Sequence, residues 1–468
     1  MSATRLLALA PASVQSQAEA LKPLLELFFS NLGQGKEPLE LAESQLPEEL
    51  ISALAALPLV LDKKPDEPLK LWTAKGFKQQ QRVLAQLVDL LKSHNGLLVT
   101  GGAGSGKTSL VRKLLGEINQ PTALMAPTGK AAARLREAMA PMPEGMQCGT
   151  IHRWLEASGD GRFRRGPQRL LELSSVVVDE FSMVEIMLLE ALLAALPPGV
   201  KLFLLGDPGQ LPPISGAGVL APLKAKLVAE APQCLIELKG SHRFNQTTAL
   251  GEFVQQLRKG PIDLATQLQQ LPETGNLGFY NLNLGWPIEL TERLNLHRKE
   301  LLIAAENKHC SDQEALNTLL ELMLLAPRRK GRHGVDQLNE RWLGLDRNNP
   351  LAWPVGTPVL INRNNNDKGL SNGDLGLIRS DERGRKVAVI ASGDGAQRIP
   401  LELLVGVEPA LAITVHKSQG SQAKQVIVVI NEAEGLDPRL LYTALTRAQD
   451  RADLLFFSSI TKLLNLHF

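Results

Sequence analysis

Apolar residues follow two different spacings along this chain. Residues 1–62 are rich in Leu and Ala at helical spacing, and the pattern predicts a small helical domain at 1–72. The polar, proline-containing stretch 63–70 predicts a linker. From about residue 76, short apolar runs that end in loops alternate with longer helical patterns. Because strands that alternate with helices form parallel sheets covered on both faces, this region predicts an α/β fold.

The alternation returns near the C-terminus, in LAITV (411–415), QVIVVI (425–430) and DLLFFSS (453–459), with a helical pattern at 440–449. We therefore predict two tandem α/β domains, at 73–240 and 241–468. Between 345 and 405, short apolar runs alternate with turn-rich strings such as NNNDKGLSNGDLG. This spacing predicts a small SH3-like β-barrel inserted in the second domain.

The amino-acid composition argues against several classes of protein. A length of 468 residues with 44% hydrophobic and 21% charged residues is ordinary for globular proteins. The net charge of +2 is no global nucleic-acid signature, so an anionic partner must meet a local basic surface. Three separated cysteines, Cys148, Cys234 and Cys310, favour reduced thiols over a disulfide framework or a zinc site. Since no apolar run reaches the ~18–20 residues of a membrane helix, we expect a soluble, cytoplasmic protein without a membrane partner.

Residues 101–108, GGAGSGKT, match the P-loop pattern in full, between an apolar strand and a helix. The glycines let backbone N–H groups surround phosphates, Lys107 reaches the outer phosphates, and Thr108 offers its hydroxyl to Mg²⁺. A glycine-rich turn that binds nothing would not explain the flanking strand and helix. We therefore predict ATP and Mg²⁺ as cofactors and two RecA-like, P-loop-type domains. The predicted nucleotide-binding residues are Gly101, Gly102, Ala103, Gly104, Ser105, Gly106, Lys107, Thr108 and Ser109.

Two further strands end in polar residues. Asp179 and Glu180 follow an apolar run, and we expect Asp179 to hold the metal with Thr108 while Glu180 polarises the attacking water. An Asp–Glu pair can also simply cap the next helix, but the upstream P-loop favours the catalytic role. Gln210, in GDPGQ, is positioned to sense the γ-phosphate, with a polar turn as the alternative.

Phosphoryl transfer also needs positive charge at the γ-phosphate. Arg243, in SHRF, and Arg447, in YTALTR, lie outside the first predicted domain. Supplied from the second domain, they would make ATP close the two domains on each other. Each arginine taken alone is more often a surface or ion-pair residue, so both interpretations stay open. With Lys107, Asp179, Glu180 and Gln210, these arginines complete the predicted catalytic set.

Taken together and in this order, the motifs resemble those of superfamily 1 helicases. Within them the chain resembles the RecD family, the alpha subunit of exodeoxyribonuclease V and its stand-alone relatives. The resemblance covers about residues 76–460, whereas residues 1–70 match weakly. The strings that carry it are GGAGSGKT, APTGKAAARL, GTIHRWL, VVVDEFSMV, LLGDPGQLPPISGAGVL, SHRF, TVHKSQGSQ and YTALTRA.

This resemblance implies an ATP-dependent DNA helicase that translocates 5′→3′ on single-stranded DNA during double-strand break repair and recombination. It also implies a complex with a second helicase and a nuclease subunit, RecB- and RecC-like. Gln80 matches the family's adenine-contacting glutamine, although Gln79 and Gln81 are adjacent. No constellation of carboxylates independent of the ATP site suggests a nuclease, so we expect any DNA cleavage to come from a partner.

A DNA track is expected along polar loops of both domains. Thr128, Lys130 and Arg134 occupy a loop-to-helix segment suited to phosphate contacts. Trp154 could stack on a base or pack in the core. The basic clusters 162–165 and 328–332 could flank the track or form solvated faces. Further DNA-binding residues are predicted at Thr150 and His152 and, from the resemblance, at Asn372, His416, Lys417 and Gln419.

Two alternatives to a DNA motor stay open. The chain could use ATP to clamp DNA or a partner without unwinding, or it could be an RNA-directed motor of the same superfamily. Whether ATP turnover responds to DNA, to RNA or to neither distinguishes these hypotheses.

Overall fold

A computed structural model gives the fold of the chain over most of its length. Within the part that it describes, no helix is long and apolar enough to cross a membrane. The described residues are 3–8, 10–33, 38–41, 46–57, 59–62, 69–116, 120–158, 161–213, 218–241, 243–244, 248–259, 275–363, 365, 368–392, 395–430 and 437–456.

The N-terminal region combines helices with a short antiparallel sheet. The elements are α1 (Ala3–Ala8), α2 (Ala12–Gln15), α3 (Ala18–Gly33), α4 (Glu48–Ala55), β1 (Leu39–Leu41), β2 (Leu59–Asp62) and β3 (Leu69–Thr73). β3 lies between β1 and β2. The prediction of helices alone is therefore incomplete, because strands of three to five residues show too few alternations to separate from helical spacing. Of the predicted linker, residues 63–68 lie outside the described residues and 69–70 begin β3.

A six-stranded parallel sheet follows, with strand order β6-β5-β7-β8-β4-β9. Residues of β7 alternate between two hydrophobic cores, with Val176 and Val178 on one face and Val177 on the other. This confirms the predicted α/β fold with a parallel sheet. The elements are β4 (Leu97–Gly101), β5 (Thr122–Ala126), β6 (Met146–Thr150), β7 (Ser175–Val178), β8 (Lys201–Gly206), β9 (Leu235–Leu238), α5 (Ala74–Ser93), α6 (Lys107–Leu115), α7 (Gly129–Ala138), α8 (Ile151–Trp154), α9 (Ile186–Ala195) and α10 (Leu220–Glu230).

The second half of the chain contains a five-stranded parallel sheet and a five-stranded antiparallel sheet. Its helices are α11 (Ala249–Lys259), α12 (Ile288–Glu306), α13 (Asp312–Thr318), α14 (Val335–Leu343) and α15 (Pro438–Leu445). Its strands are β10 (Leu277–Asn281), β11 (Leu322–Ala326), β12 (Pro358–Ile361), β13 (Leu375–Ser380), β14 (Lys386–Ser392), β15 (Gly395–Pro400), β16 (Val407–Pro409), β17 (Ile413–Thr414), β18 (Ala423–Val429) and β19 (Ala448–Phe456).

The parallel sheet of this half has the order β10-β19-β18-β11-β17. Each of the three C-terminal apolar strings predicted as strands contributes to it. The helix predicted at 440–449 ends earlier, since β19 already begins at Ala448. The proposed domain boundaries at 72 and 240 stay predictions.

The antiparallel sheet occupies the predicted insert and has the order β15-β14-β13-β12-β16. Its edge strands β15 and β16 are not paired with each other among the described residues, so barrel closure stays a prediction. Buried Arg379 of β13 donates to the carbonyl oxygens of Ala305 and Asn307 and to the Asp312 carboxylate. These bonds fix the insert to α12 and α13.

The carboxyl ends of the first parallel sheet carry most of the predicted site residues. The P-loop follows β4, Asp179 follows β7, and the loop to Gln210 follows β8. Thr128 follows β5, and Thr150 ends β6. Because parallel strands end at the same edge of a sheet, five loops distant in sequence meet there.

Candidate nucleotide site and nucleic-acid groove

The P-loop joins β4 to α6 in a conformation that needs its glycines. Gly104 and Gly106 have φ of +72° and +86°, in the left-handed region. A Cβ on Gly104 would also lie 2.7 Å from the Cβ of Arg243. The second half of the chain therefore approaches the loop closely enough to exclude a side chain there.

Polar groups of this loop fit a phosphate ligand. The Lys107 Nζ donates to the carbonyl oxygens of Gly101 and Gly102, at 2.7 and 3.0 Å, so it lies inside the curve of the loop. The Ser105 hydroxyl is buried without a hydrogen-bond partner. Thr108, the second residue of α6, is half-buried, while Ser109 is exposed. The amides of the loop at the start of α6 offer the donors that a phosphate requires.

The acidic pair stands at the end of β7. The Asp179 carboxylate accepts from the Glu180 backbone N–H at 2.8 Å, and burial, together with the Glu180 charge, raises the pKa of Asp179 to about 6. Glu180 has φ of +50°, which costs a non-glycine residue about 1–2 kcal/mol. Such strain is typical of residues that a fold must hold at a defined point.

The oxygen donors here suit Mg²⁺ bound jointly with a nucleotide. Thr108 and Asp179 supply a hydroxyl and a carboxylate, the hard ligands that Mg²⁺ prefers. Over the described ranges, no group of three or more His, Cys, Asp or Glu residues could hold a metal ion by itself. Phosphate oxygens would therefore have to complete the coordination.

Both predicted arginines lie close enough to Glu180 for its charge to act on them, and Gln210 follows the neighbouring strand β8. Gln210 is buried and its Oε1 lacks a hydrogen-bond partner. Arg243 Nη1 is likewise buried without one, and burial together with Arg134 and Arg447 lowers the pKa of Arg243 to about 10. Unpartnered buried polar atoms from both halves of the chain match a polyanionic ligand.

Arg447 differs from Arg243 because all three nitrogens of its guanidinium already donate hydrogen bonds within the protein. Its guanidinium donates to the carbonyl oxygens of Thr443 and Ser421, at 3.0 and 3.4 Å, and to the Thr446 hydroxyl at 3.2 Å. Burial lowers the pKa of Arg447, and the nearby Glu180 opposes that effect. The residue is thus a buried structural anchor whose charge also interacts with that of Glu180.

Two residues at the P-loop were missed by the sequence analysis. The Tyr442 hydroxyl donates to the Asp207 carboxylate at 2.7 Å and accepts from the Ala103 backbone N–H at 3.4 Å. Burial raises the pKa of Tyr442 well above its usual value. A Cβ on Gly102 would lie 2.7 Å from the Arg258 guanidinium. Tyr442 stands in the string YTALTRA, so the string indicated the segment although not this contact.

Gln80 is buried on α5, and its amide donates to the Gly218 carbonyl oxygen at 3.2 Å. Neighbouring Gln79 donates instead to the Glu190 carboxylate, at 2.7 Å. The expected adenine contact of Gln80 is a prediction, and its amide is already engaged with the backbone.

A groove of about 1320 Å³ runs between the first parallel sheet, the insert and the TVHKSQG segment. It is lined by residues from both halves, including eight of the nine predicted DNA-binding residues. These are Thr128, Lys130, Thr150, His152, Asn372, His416, Lys417 and Gln419.

Backbone geometry explains why the two threonines lie there. The hydroxyl of Thr128 caps α7 by accepting from the Ala131 N–H, and that of Thr150 caps α8 by accepting from the Arg153 N–H. The positive end of the ten-residue helix α7 therefore opens into the groove. Burial lowers the pKa of His152, so its ring is neutral at neutral pH.

Lys130, in the first turn of α7, is the most unusual cation of the groove. Its Nζ is buried without a hydrogen-bond partner, and burial lowers its pKa to about 7, with Asp374 opposing. Asp374 belongs to the insert, and burial raises its pKa to about 6. A Cβ on Gly129 would lie 2.9 Å from the Ser371 hydroxyl, so the insert packs directly on the start of α7.

Two residues considered for the DNA track lie elsewhere. Arg134 is absent from the lining formed by the described residues, and it donates to the Gly420 carbonyl oxygen at 3.4 Å. Its charge acts on Asp179 and on Arg243. Trp154 packs against the hydrophobic core of the first sheet, which was the alternative to base stacking.

The two basic clusters are partly neutralised. In the first, Arg165 donates to the Glu156 carboxylate at 2.8 Å. In the second, Arg329 lies 3.1 Å from Glu408 and 3.4 Å from Asp336. Residues 328–332 are nonetheless all exposed, as are Arg162 and Arg164, so both interpretations of the clusters stay open.

The groove and the nucleotide site share structural segments. The Gln419 amide donates to the Leu211 carbonyl oxygen at 3.3 Å, and the Leu211 N–H donates to the Thr443 hydroxyl at 2.9 Å. Gly420, with φ of +74°, packs on the start of α7. A shift of the TVHKSQG segment would therefore reach residues on both sides of the nucleotide site.

Comparison with known proteins identifies the family. Residues 85–216 match the AAA domain family, and residues 409–455 match the UvrD-like helicase C-terminal domain. The chain is similar to the RecBCD enzyme subunit RecD of Mycolicibacterium smegmatis, with 35% identity over 465 residues that cover 92% of this chain and 78% of that protein. A solved structure of Bacteroides Pif1 bound to ssDNA is similar at 18% identity and a TM-score of 0.44, over 84% of this chain and 94% of that one.

Two further relatives agree. The RecBCD enzyme subunit RecD of Mycobacterium tuberculosis is 34% identical over 406 residues, covering 80% of this chain and 68% of that protein. The ATP-dependent RecD2 DNA helicase of Deinococcus radiodurans is 32% identical over 432 residues, covering 89% of this chain and 54% of that protein. This chain belongs to the RecD family of superfamily 1 DNA helicases.

Proposed function

We propose that this chain is an ATP-dependent DNA helicase that hydrolyses ATP between two RecA-like domains and moves along a single DNA strand held in the groove. The observation that carries the proposal is that both halves of the chain contribute to each site. The TVHKSQG segment also lines the groove and bonds to Leu211, the residue after Gln210. Because nucleotide and strand would each touch both halves, binding at one site changes the geometry of the other.

Each predicted catalytic residue has a role in this reaction. Lys107 and the P-loop amides hold the phosphates, and Glu180 orients the attacking water. Gln210 and Arg243, each with a buried atom that lacks a partner, contact the γ-phosphate region from different halves of the chain. Arg447 adds positive charge and keeps α15 in place. Mg²⁺, held through Thr108 and Asp179, would neutralise charge on the phosphate oxygens.

The groove suits a strand recognised through its backbone. The N-terminus of α7 and the cations Lys130 and Lys417 favour phosphates irrespective of base sequence. Asn372 contributes from the insert, taken here as an SH3-like barrel that covers the strand, and His416 contributes from the TVHKSQG segment. Binding of this kind should weaken steeply as salt rises.

The family supports a more specific biological role. RecD proteins are named as subunits of a RecBCD enzyme, and RecD2 is named as a DNA helicase. We therefore propose 5′→3′ movement in double-strand break repair and recombination. The chain would act as the alpha subunit of an exodeoxyribonuclease V-type complex with RecB- and RecC-like partners.

Steady-state ATP hydrolysis by the purified chain, with and without single-stranded DNA, tests this function. Strong stimulation that vanishes in Lys107→Ala supports a DNA-driven motor, and unwinding of duplexes with a 5′ or a 3′ tail then tests the direction. Equal turnover with and without DNA contradicts an autonomous motor and favours the ATP-dependent clamp. Stimulation by RNA but not by DNA would move the chain to the RNA-directed class.

A further inference from the structure

Glu408 on β16 lies between two cations at one end of the groove. Its carboxylate forms an ion pair with Lys417, which lines the groove, and its Oε2 lies 3.1 Å from Nη2 of Arg329. The Glu408 side chain is only 13% exposed. One nearly buried carboxylate therefore pairs with two cations: Lys417, which lines the groove, and Arg329, which also lies 3.4 Å from Asp336.

The two contacts of Glu408 differ in quality. Oε1 accepts a hydrogen bond from the Lys417 ammonium, whereas buried Oε2 has no hydrogen bond that satisfies it, despite the nearby guanidinium. The buried ion pair of Arg379 with Asp312, by contrast, is reinforced by three bonds from the same guanidinium to carbonyl oxygens. The Glu408 pairing is thus incompletely satisfied and costs less to exchange for another anion.

We propose that Glu408 is a built-in competitor of the DNA backbone: a phosphate of the bound strand displaces it from Lys417 and Arg329, and the carboxylate thereby sets the affinity for single-stranded DNA. The inference rests on the proposed function, because it needs a strand in the groove. It also assigns Arg329, and with it the basic cluster 328–332, to the DNA track.

Competition of this kind suits a motor. Each phosphate that Lys417 binds requires the loss of its bond to Glu408, so the net free energy of the exchange is small even though both ion pairs are strong. A strand held by such exchanged ion pairs can advance, whereas a permanently uncompensated lysine would retain each phosphate. Glu408 is accordingly a positioning residue that acts through the two cations.

The test compares Glu408→Gln with the wild-type full-length chain, using a fluorescently labelled oligothymidylate over a range of salt concentrations. We expect the variant to bind about three- to tenfold more tightly at low salt, because one or two cations become free for phosphates. The plot of log affinity against log salt should steepen by about 0.7 for each additional phosphate that these cations neutralise. The double variant Glu408→Gln/Arg329→Met should show a slope that is shallower by about 0.7 than that of Glu408→Gln, because one of the two cations is removed.

Glu321→Gln is the matched control, because it removes a carboxylate from Lys424 in an exposed pair outside the groove lining. It should leave the affinity and the salt slope unchanged. An unchanged slope in Glu408→Gln, with wild-type binding intact, would overturn the role of Glu408 while leaving the helicase proposal in place. If neither the wild type nor the variant binds the oligothymidylate, both proposals fail together.

Discussion

The nucleotide site and the groove are built on opposite principles. At the nucleotide site, buried atoms of Ser105, Gln210 and Arg243 have no hydrogen-bond partners. In the groove, Lys417 forms an ion pair with Glu408 and Arg398 forms one with Asp312, although the Nζ of Lys130 has no hydrogen-bond partner. The first arrangement is preorganised for one highly charged ligand, whereas the second suits ion pairs that form and break repeatedly.

The difference also concerns how far apart in sequence the contacting residues lie. The P-loop places nine consecutive residues around one point, because a glycine-rich strand-to-helix turn determines their positions locally. The groove brings together side chains from loops after β5 and β6, from the insert and from TVHKSQG. A single substitution at the nucleotide site should therefore change ATP hydrolysis without changing DNA binding in the groove.

Lys107→Ala should give the largest effect and the clearest separation. We expect ATP turnover to fall by about 10³-fold or more, since the main cation on the outer phosphates is removed. Affinity for single-stranded DNA without nucleotide should not change, because Lys107 is not part of the groove lining. Lys113→Ala, an exposed lysine on the same helix, is the matched control for turnover. A loss of DNA affinity in Lys107→Ala would show that the two sites are not separable.

Arg243→Met and Arg447→Met should both reduce turnover, by up to about 10³-fold, but only one should destabilise the fold. Arg447 donates to two carbonyl oxygens in buried surroundings, so its loss should lower the free energy of unfolding by about 1–3 kcal/mol. Nη1 of Arg243 has no hydrogen-bond partner that the substitution would leave unsatisfied. Its loss should therefore lower the free energy of unfolding by less than about 0.5 kcal/mol.

Turnover and urea denaturation measured side by side check this pair of variants. If Arg243→Met were as destabilising as Arg447→Met, the Arg243 guanidinium would have to be structural rather than reserved for the nucleotide.

Tyr442→Phe should have an intermediate effect on the same site. Asp207 is 1% exposed and would lose the hydroxyl that donates to it, which should cost about 1–3 kcal/mol of unfolding free energy. Turnover should fall about tenfold for each ~1.4 kcal/mol by which the P-loop loses its preorganised geometry. Tyr280, the second of the two tyrosines in the chain, is a matched control.

Tyr280 makes longer hydrogen bonds, to Arg451 at 3.4 Å and to Glu289 at 3.5 Å, in a partly exposed position. Tyr280→Phe should therefore leave both turnover and stability within about 0.5 kcal/mol of wild type. Equal behaviour of the two tyrosine variants would contradict the role given to the Tyr442–Asp207 bond.

The contrast between the sites also explains what the sequence could predict. Alternating apolar runs identified both parallel sheets, and the P-loop and acidic pair identified the nucleotide site, because each depends on local spacing. The N-terminal strands β1–β3 were missed, since they have only three to five residues each and β1 pairs with β3 from 28 positions or more away. Tyr442 was missed for a related reason, since its partners Ala103 and Asp207 lie more than 200 positions away.

Arg134 shows how one helix can be interpreted only in part from sequence. The string APTGKAAARL indicated correctly that α7 begins at the groove, and Thr128 and Lys130 lie there. Four residues after Lys130 the helix has turned by slightly more than one full turn and advanced about 6 Å. Arg134 therefore reaches Gly420 and the neighbourhood of Asp179 instead of the groove. A linear motif does not encode where along the helix one site ends and the next begins.

The smallest predicted effect concerns pH and the groove alone. With a pKa of about 7, Lys130 is largely protonated at pH 6.5 and largely neutral at pH 8.5 in the free protein. A nearby phosphate favours the charged form and raises this pKa, so DNA binding should take up a proton. Affinity for single-stranded DNA should therefore fall as pH rises across this window, by about three- to tenfold for one titrating contact.

Lys130→Arg tests this assignment, because arginine keeps its charge throughout the window. It should flatten the dependence of affinity on pH, while Lys368→Arg, a second groove lysine, should retain the wild-type dependence. The window begins at pH 6.5 because Asp374, with a pKa of about 6, is mostly ionised above that pH. Its charge therefore favours the protonated form of Lys130 throughout the window. A wild-type affinity independent of pH would mean that Lys130 stays charged in the free groove. The groove would then hold a preorganised, uncompensated cation, as the nucleotide site does, and the distinction between the two sites would not extend to α7.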